Sequence, residues 1–286
     1  MARAATTTSL YLAEGPTWDP VRERILWVNV LEGTVYEGSL LPDGAITVER
    51  SITTPDTASA VAVAHDGTRV IAGTHRLHYV DADGTVTSGR ILIDEPQRRF
   101  NDGKPDPSGR LVVGTKGPGG ELLMRIEEGE RVQVLDDDLS LSNGLGWSSD
   151  GTTLYNIDTW SRRVYAREYD PQTGDTGERR LFAEISGGYP DGMTVDAEDH
   201  VWVAVWGGGR VDRLAPTGEV VDRIDLPAPH TSCPTFAGAR LDTLVIATAT
   251  EDLDDAQLAQ YPLSGRLFTV TPGVLGSPPN MWSGTP

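Results

Sequence analysis

A short pattern returns along this chain about every 44 residues, and that recurrence limits the possible folds more than any other property of the sequence. A polar residue comes first, then a glycine or other small residue, two variable positions, an apolar residue and a turn. The pattern reads Glu14-Gly15-Pro16-Thr17-Trp18-Asp19, then Asn143-Gly144-Leu145-Gly146-Trp147-Ser148, then Asp191-Gly192-Met193-Thr194-Val195-Asp196. A looser copy starts at Asn101 and reaches Asp106, and weaker copies begin at Ser59 and Ser232. Six consecutive units of this size predict an all-β six-bladed propeller with four-stranded antiparallel blades, a single domain over residues 1–286. Equivalent positions of a propeller lie on a ring around its axis. Glu14, Ser59, Asn101, Asn143, Asp191 and Ser232 are therefore expected to converge on one small polar site.

Each unit repeats the same grammar. A turn such as His65-Asp66-Gly67, Pro107-Ser108-Gly109 or Asp150-Gly151 precedes an apolar run, at 69–73, 110–114 and 153–157. A second run follows at 77–80, 122–126 and 164–169. Abundant glycine (32) and proline (19) suit many short strands joined by tight turns. The one helical candidate, 251–261, reads as an excursion inside the last unit. The last apolar run, 266–270, is expected to pair with residues 9–12, closing the ring and removing two sheet edges.

The net charge of −18 disfavours nucleic acid, whose phosphates demand Lys and Arg. It is compatible with a cation ligand, although acidity more often serves solubility. The lone cysteine, Cys233, permits no disulfide within the chain and reads as a small buried apolar residue. Residues 1–12 hold no long apolar run, so neither a secretion signal nor a membrane span is expected, and a cytoplasmic protein is the default. The sequence leaves the oligomeric state open, with a monomer acceptable.

The ring residues carry the chemistry. Glu14 and Asp191 offer carboxylates and Asn143 an amide oxygen, a hard set suited to Ca²⁺, Mg²⁺ or Mn²⁺. Three protein ligands would leave positions for water or substrate. The rival reading is that these residues merely open strands, since Asn-Gly and Asp-Gly are common turn pairs. Glu14 fits that rival poorly, because Glu is not a favoured turn residue. Arg99 and Asn101 alternate and so share one face of a strand, where they could hold a hydroxyl-rich substrate or an oxyanion, or else form a solvated basic edge. The five histidines show no metal-ligand spacing, and no Gly-x-Ser-x-Gly elbow is present. The glycine-rich runs 117–120 and 207–209 lead into strands rather than helices, which argues for blade turns over phosphate cradles.

The chain resembles the regucalcin (senescence marker protein), gluconolactonase and luciferin-regenerating enzyme family. The matching stretches are AEGPTWDP at 13–20, RFNDGKPDPSGR at 99–110, SNGLGWSSDGTTLYNIDT at 142–159, PDGMTVDAED at 190–199, VWVAVWGGGRVDRL at 201–214, TSC at 231–233 and GRLFTVTPG at 265–273. The resemblance implies that Glu14, Asn143 and Asp191 ligate one divalent cation, calcium ahead of magnesium, manganese, zinc or iron. It implies that Arg99 and Asn101 bind a small-molecule substrate, and that Asp191 is also the catalytic general base. The implied reaction is metal-dependent hydrolysis of a sugar lactone or related cyclic ester. The alternatives are a metal-assisted reaction on a non-sugar substrate and a non-catalytic cation-binding regulator. Four positions depart from the family pattern: Asn29 where Asp is usual, Lys116 where Met is common, Pro105 where Cys is frequent, and the short run 117–120 in place of a longer loop. Glu121 lies near that loop but at an expected strand start, and is given no substrate role. These departures leave the ligand set intact and alter the substrate wall.

Overall fold

The computed structural model describes residues 2–284 and consists of six four-stranded antiparallel sheets, one per repeat. The first strand of each repeat lies innermost. These strands are Ala13–Asp19, Ala60–Val63, Arg99–Pro105, Ser142–Trp147, Tyr189–Val195 and Thr231–Ala237, and neighbours touch around the ring. The protein is a six-bladed β-propeller. Its one α-helix among the described residues, Asp255–Gln260, falls in the predicted excursion of the last unit, and Asp254 caps it with a reciprocal bond to Gln257. No described helix is long and apolar enough to cross a membrane.

The core lies between blades. Blades one and two meet through residues such as Leu26, Val28, Val63 and Ile71. Blades three and four meet through Val112, Leu123, Leu145 and Trp147. Every other adjacent pair has its own cluster of this kind. This explains why the strands read as continuous apolar runs: both faces of a blade are covered, as in other sheets buried on two sides.

The aspartate that ends the repeat pattern has a structural task. Asp196 accepts from the backbone N–H groups of Glu198 and His200 and from Nε1 of Trp202 (2.9 Å). Asp106 does the same for the Ser108 and Arg110 amides and takes the Tyr169 hydroxyl at 2.6 Å. Each locks the turn that carries the chain into the second strand.

Ring closure departs from expectation. Phe268–Val270 pairs with Arg3–Ala4, in the register Arg3 to Thr269 and Ala4 to Phe268, rather than with residues 9–12. The N-terminal strand is thus the outer strand of the sixth blade. The chain must then travel from that outer edge to the axis before it can begin blade one. Residues 5–12 make this crossing, tied by the Leu10 amide to the Gly265 carbonyl (2.8 Å) and by a bridge from Leu12 to Ala249.

Candidate functional site

Five of the six innermost strands carry a register shift at the same place. The shifts fall between Glu14 and Thr17, Phe100 and Gly103, Asn143 and Leu145, Pro190 and Met193, and Thr231 and Pro234. A bulge leaves residues unpaired and re-aims their side chains. Here it turns the polar head of the pattern towards the axis. The glycine that follows has a physical reason. A Cβ on Gly144 would stand 2.5 Å from the Asp191 carbonyl oxygen, and one on Gly192 would stand 2.4 Å from the Cys233 sulfur. Adjacent inner strands approach too closely there for any side chain.

The result is a cavity of about 130 Å³ at one end of the axis, lined by Glu14, Ser59, Arg99, Asn101, Asn143 and Asp191 among others. Five of the six ring positions therefore meet, and all five residues predicted to act in the site are among the lining. Ser232 does not join them. It is fully buried and its hydroxyl donates to the Ala13 carbonyl oxygen at 2.7 Å, so it links blade six to blade one. Ser59 faces the cavity while donating to the Phe100 carbonyl oxygen at 2.8 Å. Cys233 is fully buried, as expected.

Sequence reading missed Asp102. Simple alternation would set it on the opposite face from Asn101, but the bulge between Phe100 and Gly103 brings both to the cavity. Asp102 is 5% exposed and, among the described residues, its Oδ2 has no hydrogen-bond partner. The rim residues Trp160, Tyr189, Trp206, Glu251 and Asp252 were also missed. The last two arrive on the excursion of the sixth blade.

Three carboxylates so near one another cannot all ionise cheaply. Burial, then the charges of Asp191 and Asp102, holds the Glu14 carboxyl well above its usual range. Burial and the Asp102 charge push Asp191 up to about 8. Burial also raises Asp102, against the pull of Lys104 and the Gly103 amide. Glu14 accepts from the Gly15 amide at 2.9 Å. Asn143 donates through Nδ2 to Asp191 and, at 3.1 Å, to the Thr159 hydroxyl. That hydroxyl is already committed as donor to the Pro190 carbonyl oxygen (2.9 Å), so it can only accept from Asn143 and fixes which way the amide faces.

This donor set suits a divalent cation. Buried carboxylates that raise one another's proton affinity, with the orphaned Asp102 Oδ2 beside them, are stabilised by a positive charge placed among them. No three Asp, Glu, His or Cys residues form a metal-binding group among the described residues. The predicted ligand set is of another kind: two carboxylates, Glu14 and Asp191, and the amide of Asn143.

On the third blade, Arg99 directs Nη1 to the Phe100 carbonyl oxygen (2.7 Å) and to Asn101 Oδ1 (3.1 Å), and Asn101 donates to the Ser142 carbonyl oxygen at 3.0 Å. Of the four departures noted in the sequence, only Lys116 lines the cavity. Asn29 is fully buried and accepts from the Leu12 amide at 3.2 Å, and the Pro105 carbonyl takes Nδ2 of Asn280 at 3.1 Å. The run 117–120 does not wall the cavity. Arg98 grips the carbonyls of Gly119 and Gly120, and fully buried Glu121 accepts from Thr115 (2.7 Å) and the Gly119 amide (2.9 Å). Glu121 is thus an anchor for the turn.

Residues 12–250 match the family model described as SMP-30/Gluconolactonase/LRE-like region. The chain is 34% identical to a 6-deoxy-6-sulfogluconolactonase of Pseudomonas putida, over 96% of this chain and 95% of that one. It is 32% identical to a pentonolactonase of Haloferax volcanii, with 95% and 94% covered. The crystal structure of a calcium-binding protein, regucalcin, from Agrobacterium tumefaciens superposes with a TM-score of 0.91 at 33% identity, covering 99% of this chain and 97% of the other.

Proposed function

The chain belongs to the SMP-30, gluconolactonase and luciferin-regenerating enzyme family, and from that premise we propose that it hydrolyses a lactone ring with the help of a divalent cation held by Glu14, Asn143 and Asp191. The observation that carries this reading is the convergence of those three residues, from blades one, four and five, on a cavity whose third-blade wall presents Arg99 and Asn101. Calcium is the first candidate, because the donors are hard oxygens and a structural relative is a calcium-binding regucalcin.

Bound there, a divalent cation supplies Lewis-acid polarisation of a carbonyl group. The residues do the rest. Asp191 accepts the proton of the attacking water as general base. The same carboxyl then returns the proton to the ring oxygen as the ester C–O bond breaks, giving the hydroxy acid. Arg99 and Asn101 orient the substrate hydroxyls against the third blade. Asn143, held by Thr159, keeps Asp191 in position.

The test is metal content by elemental analysis together with proton release on a lactone panel, with and without chelator. Hydrolysis that chelator abolishes and calcium restores supports the reading. Stoichiometric cation with no turnover on any lactone would instead favour a cation-binding regulator.

A further inference from the structure

Arg99 and Lys116 stand directly opposite one another on paired antiparallel strands, Arg99–Pro105 and Leu111–Lys116, at the end of the ladder where it opens onto the cavity. Like charges in directly opposed positions are destabilising in a sheet. Neither side chain of this pair is salt-bridged to an acid among the described residues, although the charges of Glu251 and Glu14 reach Arg99 and that of Asp191 reaches Lys116. Arg99 bonds only neutral groups: the Phe100 carbonyl oxygen, Asn101 Oδ1 and, at 3.4 Å, the Ser59 hydroxyl. The Lys116 side chain makes no salt bridge or hydrogen bond among the described residues. Scarcity of acid is not the cause, since the chain holds 42 acidic residues against 24 basic ones. Arg98, adjacent in sequence, does have its carboxylate, Glu121 at 3.3 Å. The third blade therefore pairs the outward cation with a carboxylate and leaves the two cavity-facing ones without a salt-bridge partner among the described residues.

The choice of residue is equally uneven. Lys104 and Lys116 are the only lysines among the 24 basic residues, and Lys116 is the one that lines the cavity. An ammonium on a flexible stem is a mobile point charge, able to follow an oxyanion of varied geometry, while the fixed guanidinium of Arg99 offers a planar fork beside it. The other charged residues of the lining are acidic: Glu14, Asp102 and Asp191 at the base and Glu251 and Asp252 at the rim. Apart from a cation bound at the base, the positive charges that the described lining offers an anionic substituent are Arg99 and Lys116 of the third blade.

We propose that Arg99 and Lys116 form the recognition element for an oxyanionic substituent carried by the substrate away from its lactone carbonyl, with Lys116 deciding between charged and neutral lactones. This rests on the lactonase reading and adds a substrate class to it: polyhydroxy lactones bearing a carboxylate, sulfonate or phosphate. Glu251 and Asp252 at the rim disfavour such a group on their side of the cavity, so the third-blade contact sets both affinity and the direction in which the ring presents its carbonyl.

Two measurements test this. The first compares kcat/KM for gluconolactone and 6-phosphogluconolactone. We expect the charged lactone to be favoured by at least about tenfold in the native enzyme, the ratio to fall about tenfold in Lys116→Met, and Lys116→Arg to recover most of it. Arg240→Gln removes an exposed cation at the opposite end of blade six and leaves the ratio in place. Equal use of the two lactones, or a ratio indifferent to Lys116→Met, overturns the proposal. The second needs no turnover: calorimetric affinities of the calcium-loaded protein for sorbitol and sorbitol 6-phosphate, native and Lys116→Met. Discrimination through Lys116 without hydrolysis of any lactone would leave the anion site standing and remove the reaction. Hydrolysis without discrimination in either measurement would do the reverse.

Discussion

Asn143 donates through Nδ2 to Oδ1 of Asp191, joining residues 48 positions apart in the sequence and tying blade four to blade five at the axis. The bond depends on how closely the two inner strands approach, and that approach depends on glycine. Gly144 lies against the Asp191 carbonyl oxygen and the Ile157 side chain, with 2.5 and 2.7 Å left for a Cβ. The repeat pattern, the bulge and the site geometry are thus one arrangement seen at three scales.

Gly144→Ala tests that arrangement. A methyl group has no free volume there, and the near contacts include backbone. We expect a loss of about 1–3 kcal/mol in stability, as for other overpacked positions. Activity should fall as well, because blades four and five must separate at the ligand positions. Urea denaturation and lactone turnover measure the two effects. A variant as stable as the native protein would show that the strands can part freely.

Glu14→Gln keeps the shape of the side chain and removes its charge. Cation affinity and turnover should fall together, by about tenfold or more, since one anionic ligand is lost from a set of few. Calorimetric titration with calcium gives the affinity directly. An unchanged affinity would remove Glu14 from the ligand set.

Asp191→Asn separates two roles. An amide still offers an oxygen to a cation but cannot accept a proton. Turnover should drop by roughly 10²–10⁴, the usual cost of a lost general base, and by more than cation occupancy does. Full activity at saturating calcium would end the proton-transfer assignment.

The architecture was legible because it repeats. A polar residue and a small one at fixed spacing located the ring, and both recurred strongly enough in blades one, four and five to mark Glu14, Asn143 and Asp191. What escaped was backbone register. A bulge is a property of the hydrogen-bond ladder, and it broke the alternation that would have turned Asp102 away from Asn101. Ser232 sits at an equivalent position but is absorbed by a bond to Ala13, a satisfaction that no local pattern announces. Closure by Arg3–Ala4 was hidden for another reason: two residues are too few to show any period, whereas residues 9–12 are more apolar and lie nearer blade one. The rim, supplied by Glu251 and Asp252, depends on how an irregular excursion folds back over the cavity.

Proton affinity at the site gives the last prediction. In the unfolded chain Asp191 titrates near 3.8, and in the folded, cation-free protein at about 8. Between those values the folded state holds a proton that the unfolded state has released. Stability then falls as pH rises, because its slope follows the protons bound by the unfolded state minus those bound by the native one. Glu14, raised by the same burial and the same neighbours, acts in the same direction. A cation bound among the ionised carboxylates reverses the penalty and stabilises the folded state by mass action. The melting temperature in chelator should therefore decline from pH 5 to pH 8, and the gap between calcium and chelator should widen over that range. Asp191→Asn removes one titrating group and should flatten the decline in chelator. A melting temperature in chelator that rises across this window, or a calcium gap independent of pH, would mean that these carboxylates do not share the buried, mutually repelling environment on which the cation site depends.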